Sequence, residues 1–236
     1  MITNIWYLII IFIIILHVKH IYEIKYYNTS SIIQKVHLDE IVSTINNTII
    51  SYDPLLIPHK FEEYNNIYNK PNNYYIESDE LLRISDFKDK DLYIFKNTKL
   101  FNDLGINTDK IINLTSNILT CNICNYASII KGYYKTKILK QIHNCSIISL
   151  LNGNCTVYLF NPKHTNSILK NKNDLNKLKK WAIIHTMEIN ELVYIPVNWY
   201  YILETNQFSE LIHIEFDNYF TILYNMFQLI NNNDDN

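Results

Sequence analysis

Arginine is nearly absent from this chain of 236 residues, where Arg83 stands alone. Its planar fork is the side chain that grips phosphate in two places, and the 21 basic residues are balanced by 23 acidic ones. Nucleic acid is thereby disfavoured as a partner, and a net charge of −2 points to no other. Cysteine is scarce too, and four in a chain this long do not make a disulfide scaffold. Cys121 and Cys124 have the spacing of a zinc knuckle or redox pair. No second pair of cysteines or histidines completes a zinc site, however, and no helix is evident where a thiol-redox motif needs one. Two small half-buried residues in a strand is the reading that remains. Glycine (3) and alanine (2) are outnumbered by 42 isoleucines and 33 asparagines, the skew of an A/T-rich coding sequence. In so asparagine-rich a chain the N-x-S/T sequons at Asn28, Asn46, Asn113, Asn144 and Asn154 are expected by chance.

What is present is enough apolar sequence, 48% of residues, for one globular core. Residues 2–18 form an apolar run broken only by Thr3, Asn4 and His17. Its aliphatic positions each favour insertion by roughly 0.3–0.6 kcal/mol, and its polar residues lie near the ends, where they cost least. A single-pass transmembrane helix over residues 1–18 is therefore expected. No basic stretch precedes the run and no small-x-small cleavage site follows it, which favours an uncleaved anchor over a signal peptide. Lys19 and Lys25 place the main domain on the cytoplasmic side by the positive-inside rule.

Residues 19–117 read as a connector with helical and strand pieces, loop-rich over 52–73, where Pro54, Pro58 and Pro71 fall. From residue 118 the chain is strand-like, over 133–142, 145–151, 155–160, 181–185, 191–195 and 211–216. Asn152-Gly153 has the residues of a type I′ turn, so a hairpin is expected there. The polar stretch 171–180 reads as a solvated insertion. Residues 218–230 carry Phe220, Leu223, Phe227 and Ile230 at helical spacing, a stripe suited to covering the strands or to joining two copies. Residues 231–236 should fray.

Two segments carry a more specific pattern. Residues 190–205 read N-E-L-V-Y-I-P-V-N-W-Y-Y-I-L-E-T, a strand, a corner at Pro196, an aromatic pair and a second strand. Residues 146–162 read S-I-I-S-L-L-N-G-N-C-T-V-Y-L-F-N-P. The first resembles the G-D-x-L-Y-I-P-x-x-W-x-H corner, and the second the N-L-L-x-Q-x-x-G-x-K-x-x-x-L-F-P-P segment, of cupin-like, JmjC-type domains. Those domains belong to the Fe(II)- and 2-oxoglutarate-dependent oxygenases. Gly153, Pro196 and Trp199 are the retained fold signature. The resemblance covers residues 118–217 and implies a mostly β fold with added helices, a double-stranded β-helix or jelly-roll barrel.

The same resemblance implies an iron held by two histidines and a carboxylate, with a lysine for 2-oxoglutarate. Here those positions fall on Lys140, Ile142 and Tyr201, and the lysine position on Cys155. All four depart from the family, and Lys140 would put a positive charge where iron should sit. The expectation is a barrel with no catalytic residue, no metal and no cofactor, kept as a binding or structural module for an unknown protein or small molecule. One alternative is an active Fe(II)/2-oxoglutarate oxygenase with a rebuilt metal site drawn from His143, His185, His213, Glu215 or Asp217. Another is a structural component of a membrane or virus particle, its barrel mouth filled by Tyr201, Ile142 and Tyr194.

Overall fold

The computed structural model describes residues 53–62, 64–67, 73–75, 81–83, 93–116, 120–223 and 225–226, with residues 7, 10–15, 18, 32–37 and 40 nearer the N-terminus. Among the described residues no helix is long and apolar enough to cross a membrane. Residues 7, 10–15 and 18 are helical with exposed side chains, and the rest of the expected anchor lies outside the described residues.

Five short strands come first: β1 (Gln34–Lys35), β2 (Leu55–Pro58), β3 (Asn73–Tyr75), β4 (Leu81–Arg83) and β5 (Tyr93–Asn97). Helices α1 (Thr98–Leu104) and α2 (Asp109–Thr115) follow. Then come β6 (Thr120–Ile130), β7 (Tyr134–Lys135), β8 (Leu139–Lys140), β9 (Cys145–Gly153) and β10 (Cys155–Phe160). Helices α3 (Thr165–Lys170) and α4 (Leu175–Leu178) precede β11 (Ala182–Met187), β12 (Glu191–Pro196), β13 (Tyr200–Thr205) and β14 (Ser209–Asn218).

Among the described residues one sheet runs β1-β2-β12-β9-β14-β6-β5 and a second runs β11-β10-β13-β7, with β8 also paired to β13. From β6 onward the chain alternates between the two sheets, except at β7–β8 and at the β10–β11 hairpin, which stay in the second. Antiparallel strands that switch sheets in this order make a jelly roll, the arrangement of cupins. Mostly β with added helices is thus the architecture. β2 and β5, from the stretch before residue 118, extend the first sheet on both sides.

Three apolar layers hold it together. Between the sheets lie Ile148, Leu150, Val157, Leu159, Val193, Trp199 and Leu203. The outer face of the larger sheet buries Ile147, Tyr194, Ile212, Ile214 and Phe216 with Leu100, Phe101 and Leu104 of α1. The outer face of the smaller sheet buries Tyr158, Phe160 and Ile202 under Ile168 and Leu178 of α3 and α4. The 171–180 stretch is therefore partly helical and lends Leu178 to the core rather than being wholly solvated. Because β9 is covered on both faces, residues 145–151 are all buried, which explains their unbroken apolar run.

The expected hairpin at Asn152-Gly153 does not form. β9 pairs with β12 and β14, while β10 pairs with β11 and β13, so Gly153 sits where the chain leaves one sheet for the other. Its φ of 89° needs glycine, and a Cβ there would lie 1.9 Å from the Phe208 carbonyl oxygen. Asn152 keeps a negative φ, so the type I′ turn is excluded. The Pro196 corner is a sheet switch of the same kind, from β12 to β13, with Asn198 in the left-handed region (φ 67°) and Trp199 fully buried behind it. After β14, residues 219–223 and 225–226 are helical. Leu223 is 45% exposed, so it does not cover the barrel as expected, and Phe227 and Ile230 lie outside the described residues.

Candidate functional site

Polar side chains alternate with apolar ones along β14. Ile212, Ile214 and Phe216 pack outward, so Leu211, His213, Glu215 and Asp217 face the space between the sheets. Burial of both faces makes each polar residue there require a partner. The partners come from three other places in the chain.

The first is the loop between β8 and β9. The Pro196 corner pins it: the Asn198 amide donates to the Gln141 carbonyl (2.8 Å), the Gln141 amide to the Trp199 carbonyl (2.8 Å) and the Val197 amide to the Asn144 carbonyl (3.1 Å). His143, in this loop, then sets Nδ1 at 2.9 Å from Asp217 Oδ2 and Nε2 at 3.1 Å from Glu215 Oε2. The second is the edge strand β5. Its pairing with β6 is irregular between Ile94 and Asn97, and Lys96 there has φ 49°, unusual for a residue with a Cβ. That irregularity aims Lys96 across β6, so that its ammonium reaches Glu215 Oε1 at 2.5 Å and Tyr201 Oη at 3.3 Å. The third is Ser128 of β6, whose Oγ accepts from the Lys96 amide (2.9 Å) and lies 3.0 Å from His213 Nε2.

The charges follow from these contacts. Burial alone would lower the His143 imidazole, but hydrogen bonds to Asp217 and Glu215 raise it to about 9, so both ring nitrogens carry protons at neutral pH. Burial would raise Glu215, and His143 and Lys96 instead hold it at about 2. His213 is fully buried, and burial with the nearby Lys96 lowers it to about 3, leaving a neutral ring. Two carboxylates therefore face two cations. Below them, His213 Nδ1 and Ser146 Oγ are buried without a hydrogen-bond partner, and Ser146 is the cross-strand partner of Glu215.

Of the positions named from sequence, Tyr201 lies in this cluster. It is buried, and burial raises its phenol while the Lys96 ammonium opposes that. Lys140 does not put a charge in the barrel: it pairs with Tyr200 on the outer face of the smaller sheet, while its neighbour Leu139 shares the inner face with Tyr201. A one-residue difference in register exchanges the two faces of a strand. The positive charge inside comes from Lys96, which no sequence pattern marked. Ile142 is 47% exposed and Tyr194 packs outside the barrel, so neither fills the mouth. Cys155 is buried between the sheets beside Met187, at the other end of β10 from Leu159, the partner of Tyr201. His185 is elsewhere, its Nε2 bonded to Glu191 across the β11–β12 turn. Cys121 and Cys124 lie on strand β6 as free thiols, three positions apart and so on opposite faces, with Cys124 half-buried and Cys121 exposed rather than half-buried.

Iron does not fit this donor set. Both nitrogens of His143 are engaged with carboxylates, an ammonium covers Glu215, and no group of His, Cys, Asp and Glu among the described residues is arranged around a metal position. A separate open cavity of about 810 Å³ lies outside the barrel, lined by His37, His59, Lys60, Glu62, Asp109 and Lys110 among others.

No family model matches the chain, and no curated protein matches it either. Among solved structures, the Schizosaccharomyces pombe Cnp3 cupin domain is similar at 10% identity and a TM-score of 0.30, over 44% of this chain and 59% of that one. The likeness spans about three fifths of that domain's length, and at this score the fold rests on the strand order alone.

Proposed function

We propose that this chain is a membrane-anchored, JmjC-related barrel that works without iron or 2-oxoglutarate, as a binding module. One observation carries the reading: the two carboxylates facing the barrel mouth are already neutralised by the protein's own cations, Lys96 and His143. A divalent ion would have to displace an ammonium and take the place of one proton on an imidazolium that holds it to about pH 9. The retained Gly153, Pro196 and Trp199 keep the shape of the barrel while the ligand positions have changed. Anchoring draws on the apolar run 2–18 and on its exposed side chains at residues 7, 10–15 and 18.

The test is metal content and thermal unfolding of the purified chain with and without Fe(II), Mn(II) and 2-oxoglutarate. A ligand at 100 times its Kd stabilises the native state by about 2.7 kcal/mol, which a melting curve resolves. The expected result is no stoichiometric metal and no shift. The oxygenase alternative has its own support, since His143, Glu215 and Asp217 do converge. Iron-dependent decarboxylation of 2-oxoglutarate would establish it in place of the reading given.

A further inference from the structure

Resting on the binding-module reading, we propose that the Glu215 site is a receptor for a primary alkylammonium group, and that Lys96 is its intramolecular occupant. The carboxylates belong to a central strand and are nearly inaccessible, Glu215 at 4% and Asp217 at 7%, whereas the cations that meet them are a quarter exposed, Lys96 at 25% and His143 at 24%. The fixed half of the site is thus anionic, and its outer half comes from an edge strand and a loop.

Lys96 also sits there under backbone strain. A non-glycine residue at φ 49° is held by the contacts around it, here the Ser128 hydroxyl and the ion pair itself. Among the described residues β5 is an edge strand that pairs with β6 in a register irregular between Ile94 and Asn97, so Lys96 lies in a break of the ladder between the anchored Ile94 and the helix-capping Asn97. Beside Glu215 on the same face of the sheet, Ser146, its cross-strand partner, and His213, two residues along β14, keep Oγ and Nδ1 fully buried and unpartnered. They offer hydrogen-bonding capacity that Lys96, reaching in sideways from the edge, does not use. An ammonium entering from the mouth would find Glu215, Tyr201 and these two groups. The ligand is a lysine-like amine, either free or on a partner polypeptide.

Lys96→Gly tests this directly, since glycine relieves the strained φ and empties the site together. The full-length variant is titrated with n-butylammonium, with a lysine-containing tripeptide and its Nε-acetylated form, and with Mn(II). Butylammonium or the free-lysine peptide should bind about tenfold or more tighter than to wild type, where Lys96 competes, and Glu215→Gln in the same background should abolish binding. Binding of the peptide alone assigns the ligand to a partner chain, and binding of both admits a free amine. In wild type, acylation of the Lys96 amine should rise when the amine ligand is added, a readout that does not require the variant to fold. No amine binding by folded Lys96→Gly, no change in Lys96 acylation, or Mn(II) binding in place of amines would overturn the proposal. Stoichiometric iron in wild type would instead remove the binding-module reading beneath it.

Discussion

His143 keeps its proton against its own burial, and the cost appears in how stability depends on pH. Its folded pKa is about 9 against an ordinary 6.5, so the folded state holds a proton that the unfolded chain releases between those values. That stabilisation is complete below about pH 6.5 and is lost as pH rises through 9. The slope approaches about −1.4 kcal/mol per pH unit at its steepest, summing to about 3 kcal/mol. Glu215 shows the other limit of the same contacts: its stabilisation is present above 4.5 and lost as pH falls toward 2. The buried Glu210 carboxyl, raised to about 7 by burial, adds its own loss between 4.5 and 7. Between 7 and 9 the loss from His143 is joined, near pH 9, by the buried Cys145 and Cys155 thiols, which burial raises to about 12 and which ionise first in the unfolded chain. Urea unfolding at pH 7 and pH 9 should show the loss in wild type, and His143→Gln should be less stable at pH 7 and lose clearly less than wild type between the two, the remainder belonging to the buried thiols. A wild-type slope that persists in the variant would place the titrating group elsewhere. The strand over 211–216 was legible in the sequence, and the two-residue period of a strand is what turns His213, Glu215 and Asp217 to the face opposite Ile212, Ile214 and Phe216. Lys96 was not legible, because its role depends on an irregular register between β5 and β6 that no residue pattern encodes.

At the scale of elements, the strands could be read while their partners could not. Residues 145–151 and 155–160 announce two strands by β-branched and apolar content, and the structure has β9 and β10 there. The short Asn-Gly link suggested that they pair, but local sequence states where a chain turns and not which sheet it enters next. Gly153 serves a sheet switch, packed against the start of β14. Gly153→Ala must adopt φ near 89° and place a methyl carbon 1.9 Å from the Phe208 carbonyl oxygen, with the Phe208 carbonyl carbon and Ser209 Cα each at 2.8 Å. All three are backbone atoms, so no side chain can swing away. The expected loss is on the order of 3 kcal/mol or more, read as a lower urea midpoint at unchanged m. A loss under about 1 kcal/mol, which a relaxed turn would permit, would show that the corner is looser than its contacts imply. Asn198, also in the left-handed region, supplies the contrast: Asn198→Gly should be nearly neutral, since glycine takes that φ without cost.

For the molecule as a whole, the two sheets and three apolar layers of the jelly roll include none of the described residues of the 2–18 run. Residues 10–15 are helical, and six consecutive positions span more than one full turn. Their side chains are 50–61% exposed at every one of the six, so no side of this segment is buried against the domain. An apolar helix exposed all round in water is unfavourable, and a bilayer removes the cost. The full chain should accordingly stay with membranes through alkaline carbonate extraction. A chain beginning at Tyr26 should be released into the supernatant with an unchanged melting temperature. Replacing Ile13 and Ile14 by Asp adds about 3 kcal/mol each near the centre of the span. That offsets most of the several kcal/mol the aliphatic residues supply, and the double variant should extract like the shortened chain. Wild type found in the supernatant would show that residues 2–18 meet a protein surface instead, and recovery of the helix in a stable oligomer would identify that surface as a second copy.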